Sequence, residues 1–180
     1  MAMDLITTNT SSGAASSDFT TGIDSTYKLY IFKFYDVNPA TDNVNFSFQV
    51  NASDDVGGDF DESYITSTFF QAYHDEADTA TSLGYKTAND QAQGTAFQVL
   101  AQGVGNGSDE CCAGELFLFN PASTTYVKHF YSRFGVYEQS DYKDDDFAAG
   151  YINNTLALSE ISFKFASGNM DAVIKMYGVG

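Results

Sequence analysis

Basic residues are scarce in this chain: eight lysines and arginines stand against 24 aspartates and glutamates, a formal net charge of −16. A polyanion would be repelled, and no lysine or arginine cluster exists to release counterions from phosphates. Neither nucleic acid nor an anionic membrane is therefore an expected partner. The 2 cysteines, Cys111 and Cys112, are neighbours and cannot staple distant segments; a bridge between them would close a strained ring, so free thiols are expected. The 2 histidines, His74 and His129, are not spaced as a metal set with them. Tryptophan is absent, which removes the stacking platform common in sugar clefts and leaves tyrosine to substitute. No apolar run approaches the ~20 residues of a membrane span. The opening MAMDLITTNTSSG has neither a basic nor an apolar leader region, so no secretory signal is expected.

Catalytic signatures are missing as well. There is no G-x-S-x-G, P-loop, H-E-x-x-H or C-x-x-C. The glycines of Gly103-Val-Gly105-Asn-Gly107 lack the lysine and following helix of a phosphate loop and read as a turn. Long helical periodicity is also lacking, and Asp75–Leu83 has room for one helical turn. Pro39 and Pro121 are the 2 prolines, both in loop-like stretches where no ladder hydrogen bond is lost.

What the chain does contain is aromatic alternation, from 16 Phe and 12 Tyr. In Val44–Val50, Val44, Phe46, Phe48 and Val50 point one way, and Asn45, Ser47 and Gln49 the other, the period of a strand with one wet face. Tyr27–Val37 is apolar on both faces, with Tyr30, Phe32 and Phe34 on one and Leu29, Ile31 and Tyr35 on the other. It reads as a central strand packed on both sides or placed at a subunit contact. Further strands are expected at Ala14–Thr20, Ile65–Tyr73, Thr95–Ala101, Glu115–Phe119, Tyr126–Phe134, Ala148–Asn153, Ile161–Ala166 and Val173–Tyr177. Together they predict an all-β fold, an antiparallel β-sandwich of jelly-roll type. Residues 1–13 form a loose or edge-strand N-terminal arm, and residues 14–180 a single domain.

The candidate functional residues fall into three groups. Acidic clusters occupy stretches read as loops: Asp54–Glu62, Asp75–Asp78 and Asp141–Asp146, the last a DYKDDD sequence. Calcium takes six to eight oxygens, and Asp54, Asp59 and Asp61 around Gly57-Gly58 are the loosely suitable ligands; no other cofactor is expected. Surplus apolar side chains on second strand faces, Leu29, Ile31, Tyr35, Val127 and Tyr131, are candidate assembly contacts in a homo-oligomer. Tyr64, Tyr137 and Tyr142 are candidate exposed recognition residues for a host surface glycan.

Three segments, GIDSTYKLYIFKFYDVNPATDNVNFSFQVN (Gly22–Asn51), FNPASTTYVKHFY (Phe119–Tyr131) and AGYINNTLALSEISFKFASGNMDAVIKMYGV (Ala149–Val179), carry a resemblance over nearly the whole chain. With the phrases F-N-P-x-S-T-T-Y-V-K-H-F and I-K-M-Y-G, the chain resembles small virion-associated proteins of tailed bacteriophages, particularly those of marine bacteria and cyanobacteria. The resemblance transfers no catalytic residues. It implies a non-enzymatic virion structural protein, made in the host cytoplasm: a capsid decoration or cement protein whose partners are other virion proteins, the major capsid protein first. The alternative it leaves is a tail-fibre or tail-tip module that binds host glycans.

Overall fold

The computed structural model describes residues 2–52, 60 and 63–180. They form an all-β fold without helix, thirteen strands in one antiparallel sheet. The strands are β1 (Met3–Ala14), β2 (Ser17–Phe19), β3 (Leu29–Pro39), β4 (Val44–Ala52), β5 (Ile65–Asp75), β6 (Thr81–Tyr85) and β7 (Ala92–Gly94). Then follow β8 (Gln98–Val104), β9 (Cys112–Phe119), β10 (Lys128–Glu138), β11 (Tyr142–Ile152), β12 (Leu158–Phe165) and β13 (Met170–Val179). The path runs β1-β13-β3-β9-β10-β8-β4-β12-β2, and β11 and β5 extend it from β10, with β6 and β7 on β5. Strands β8, β4, β12 and β2 fold over the rest as a second layer. The sheet curls nearly into a barrel, and its ends meet where Asn9 Nδ2 of β1 donates to Ser17 Oγ at 3.3 Å and to the Asp18 carbonyl at 2.9 Å in β2.

The alternating phenylalanines fill the space between the layers. Phe163 of β12 touches the rings of Phe19, Phe32, Phe34, Phe46 and Phe48, its closest centroid being Phe34 at 4.9 Å. Edge-to-face and tilted pairs of this kind add about 0.5–1.5 kcal/mol each beyond area burial. Gly114 makes one of them feasible. It sits opposite both Phe34 and Phe134 in the ladder, and a Cβ there would stand 2.7 Å from Phe134 Cγ. Without it the two rings meet at 5.0 Å.

Several expectations need correction. The polar face of Val44–Val50 is not wet: Ser47 and Gln49 are buried. Gln49 Nε2 donates to the carbonyls of Ser63, Thr95 and Ala96, and its Oε1 accepts from the Val50 amide, so the side chain clamps overlying segments with every polar atom satisfied. Asp75–Leu83 holds no helical turn. The Asp75 carboxylate accepts from the amides of Thr79 and Ala80 at 2.8 Å, closing a turn that leads into β6. Pro39 ends β3 rather than lying in a loop, and Cys112 opens β9 and is buried between Val37 and Val136.

Tyr30, Phe32 and Phe34 do face inward, but the alternation of β3 slips after Phe34. A bulge at Tyr35–Asp36, with Asp36 at φ 49°, leaves both exposed and returns Val37 to the core. A second bulge in β8 uses Gly103 at φ 62°, where glycine is the unstrained residue.

Candidate functional site

The outer face of β13, β3, β9, β10, β11 and β5 collects the side chains that the core does not use. Antiparallel register lines them up in rows. At one end of the strands, Val179, Leu29 and Phe119 stand abreast, and the next row is Tyr177, Ile31, Phe117 and Tyr131. Phe117 and Tyr131 stack at 4.5 Å and 16°, with Phe119 5.7 Å from the same tyrosine ring. Tyr131 remains 44% exposed despite these contacts. His129, exposed on the same face, lies 6.1 Å from Tyr151.

The third row crosses the face as Lys175, Lys33, Glu115, Arg133, Phe147, Phe70 and Tyr85. Lys33 Nζ pairs with Glu115 at 3.3 Å. Arg133 donates from Nε and Nη2 to the two oxygens of Asp145 at 3.0 and 2.7 Å, and its guanidinium lies 5.2 Å from the Phe147 ring. That fork holds Asp145 below the usual carboxylate range and Arg133 above its ordinary value. Phe147 in turn stacks on Phe70 at 4.7 Å.

One row further along, Ala113 and Gly135 lack side chains that reach out, and the face dips into a trough. Its two lobes, about 340 and about 470 Å³, share Ala113, Gly135 and Lys143. Glu115, Arg133 and Asp145 form one wall, while Tyr137 and Glu76 form the other. Lys143 lies along the floor, where a Cβ on Gly135 would stand 3.4 Å from its Nζ. The Tyr137 hydroxyl is pushed up to about 12, by burial first and then by the nearby carboxylates, Glu76 foremost.

Beneath this face is a pair of buried acids. Asp144 and Asp146 alternate with the outward Lys143 and Asp145 on β11, so DYKDDD is mostly strand and half of its carboxylates are internal, not a surface loop. Gln71 Nε2 donates to Asp144 Oδ2 at 2.8 Å, and the Gln102 amide donates to Asp146 Oδ2 at 2.7 Å. Asp146 Oδ1 has no protein partner. Burial pushes Asp144 up to about 6 and Asp146 up to about 7. A cavity of about 200 Å³ opens beside Asp144, lined also by Gln71, Tyr73, Gln102, Glu138 and Tyr142.

The structure therefore separates the expected residues. Leu29, Ile31, Tyr35 and Tyr131 share the outer face, although the β3 bulge displaces Tyr35 toward the Lys175 ammonium, 5.4 Å from its ring. Val127 is half-buried and precedes β10. Tyr64 is exposed just before β5, whereas Tyr137 and Tyr142 are half-buried strand residues rather than loop residues. They point to opposite sides of the sheet, Tyr137 into the trough and Tyr142 into the inner cavity. Asp54, Asp59 and Asp61, the calcium candidates, lie outside the described residues. Among the described residues, no three His, Cys, Asp or Glu side chains group to hold a metal ion. Burial raises both thiols, Cys112 well above its ordinary value.

Phe117, Phe119 and Arg133 are visible in sequence as alternating members of Glu115–Phe119 and Tyr126–Phe134, yet only register places them abreast. The trough leaves no mark in sequence, because its floor is made by missing side chains. No model of a known protein family matches the chain, and no curated protein matches it.

Proposed function

We propose that this chain is a non-enzymatic structural protein of a tailed-phage virion, a capsid decoration or cement subunit that forms homo-oligomers through the aromatic end of its outer sheet face. The observation that supports the reading is the pair of rows Leu29–Phe119 and Ile31–Phe117–Tyr131, apolar and, apart from the buried Ile31, partly exposed on a chain of net charge −16. Contiguous apolar surface marks interaction sites, and the buried centres of interfaces favour aromatic residues over Asp, Glu and Lys. Charges are absent from these two rows and resume in the third, the arrangement of an apolar centre with a polar rim. The virion setting comes from the resemblance of Gly22–Asn51, Phe119–Tyr131 and Ala149–Val179 to phage particle proteins. Within the particle, the partner of the oligomer is the major capsid protein.

Light scattering on wild type and on a Phe117→Ser/Tyr131→Ser variant tests the contact. Wild type should be a defined oligomer, and the variant a folded monomer with an unchanged circular dichroism spectrum. Quantitative mass spectrometry of purified particles tests the setting, where many copies per particle are expected. A few copies would instead place the chain in a tail fibre or tail tip. A wild type that stays monomeric at every attainable concentration would overturn the contact, and particles without the chain would overturn the setting.

A further inference from the structure

The trough at Ala113 and Gly135 lies four residues along the strands from the Tyr131 row, about 13 Å away, and is separate from the proposed oligomer contact. We infer that it is a binding site for a neutral sugar ring. This goes beyond the assembly reading and does not depend on it. The chain carries −16 overall, and the trough is mixed in sign: Arg133 and Lys143 line it beside Asp145, Glu115 and Glu76, with Lys33 paired to Glu115 at the rim and Asp141 accepting from the Tyr137 hydroxyl. Half of the eight basic residues, Arg133, Lys143, Lys33 and Lys175, gather on this one face. An anionic ligand would meet three carboxylates at the site and a repulsive field on approach. A cationic ligand would meet two ammonium groups and a guanidinium.

A polyol needs donors and acceptors side by side, and the trough supplies both. The Arg133–Asp145 fork is fixed by its two hydrogen bonds and by the stack on Phe147. It presents a guanidinium edge and carboxylate lone pairs without further loss of side-chain freedom. Lys143 is a donor on the floor, its ammonium also bonded to the Asp144 carbonyl, and Glu115 and Glu76 are acceptors on the two walls. Tyr137 gives one wall an aromatic surface against which the C–H face of a pyranose can pack. Gly135 and Ala113 keep the floor low, so that a flat ring can approach the strands with Lys143 as the one long side chain beside it. The volumes, about 340 and about 470 Å³, fall within the range of small-molecule pockets.

Saturation-transfer NMR with maltotriose, lactose and mannotriose, and with trigalacturonate as the charged comparator, tests the site. Wild type should show transfer to at least one neutral sugar and none to trigalacturonate. Gly135→Val fills the floor and leaves every charge in place. It is compatible with folding, because the added Cβ first meets the flexible end of Lys143 at 3.4 Å. That variant should weaken binding at least tenfold while keeping the wild-type melting temperature. Lys143→Gln should weaken it several-fold. Absence of transfer to all three neutral sugars, stronger transfer to trigalacturonate, or equal affinity in wild type and Gly135→Val would each overturn the inference.

Discussion

Raising the pH from about 4 to about 8 should destabilise this protein, and Asp146 supplies a separable part of the effect. Its carboxyl is fully buried between Phe134 and Gln71, with Asp144 two residues away on the same strand face, Cys112 nearby and the Gln102 amide bonded to one oxygen. Only Lys143, on the opposite face of β11, offers compensating charge. Burial lifts the folded-state value from 3.8 to about 7, so the folded protein binds this proton more tightly than the unfolded chain. The associated stability is complete below about pH 4 and is lost as pH rises through about 7. Roughly 3 pKa units at about 1.4 kcal/mol each set a ceiling of about 4 kcal/mol. Asp144, lifted to about 6, acts in the same direction but is coupled to Asp146, so the two do not simply add.

The net charge of −16 also favours acid, which makes the raw pH profile ambiguous and the Asp146→Asn variant necessary. Asparagine keeps the acceptor for the Gln102 amide and cannot ionise. Urea titrations followed by circular dichroism should show the variant more stable than wild type by about 2–4 kcal/mol at pH 8 and nearly equal to it at pH 4. Parallel pH profiles in the two proteins would refute the reasoning, since the carboxylate would then cost nothing in the folded state.

Other expectations concern packing and the buried lysine. Phe163→Ala removes the ring that five others touch and should cost about 3–5 kcal/mol in urea melts. Gly114→Ala should cost about 1–3 kcal/mol by driving a Cβ into the Arg133 carbonyl and the Phe134 ring of β10, and should shift the aromatic near-ultraviolet spectrum. Lys128 is fully buried and donates from Nζ to the carbonyls of Asn154 and Leu156; Lys128→Met keeps the stem but orphans both. A loss of about 1–3 kcal/mol is expected, with faster amide exchange confined to the segment between β11 and β12.

The period-two placement of phenylalanine and tyrosine by itself determined that this chain is all-β, and it named most of the core. Phe46, Phe48, Phe163 and Phe165 follow directly from alternation, because a pleated strand sends every second side chain to one side. Alternation says which residues share a face, but not what covers that face. Gln49 reads as solvated and is buried, because the segments that meet its amide are Ser63 and Thr95–Ala96, well away from it along the chain. Asp144 and Asp146 read as a surface run of charge. Only the pairing of β11 with β5 and β10 decides that two of its carboxylates point inward. The β3 bulge at Asp36 is equally hidden, since a one-residue slip depends on both partner strands. The trough and the aromatic rows belong to the tertiary structure for the same reason. Strand pairing is a long-range choice, and residues as distant as Ile31, Phe117 and Tyr131 become neighbours only when register has been set.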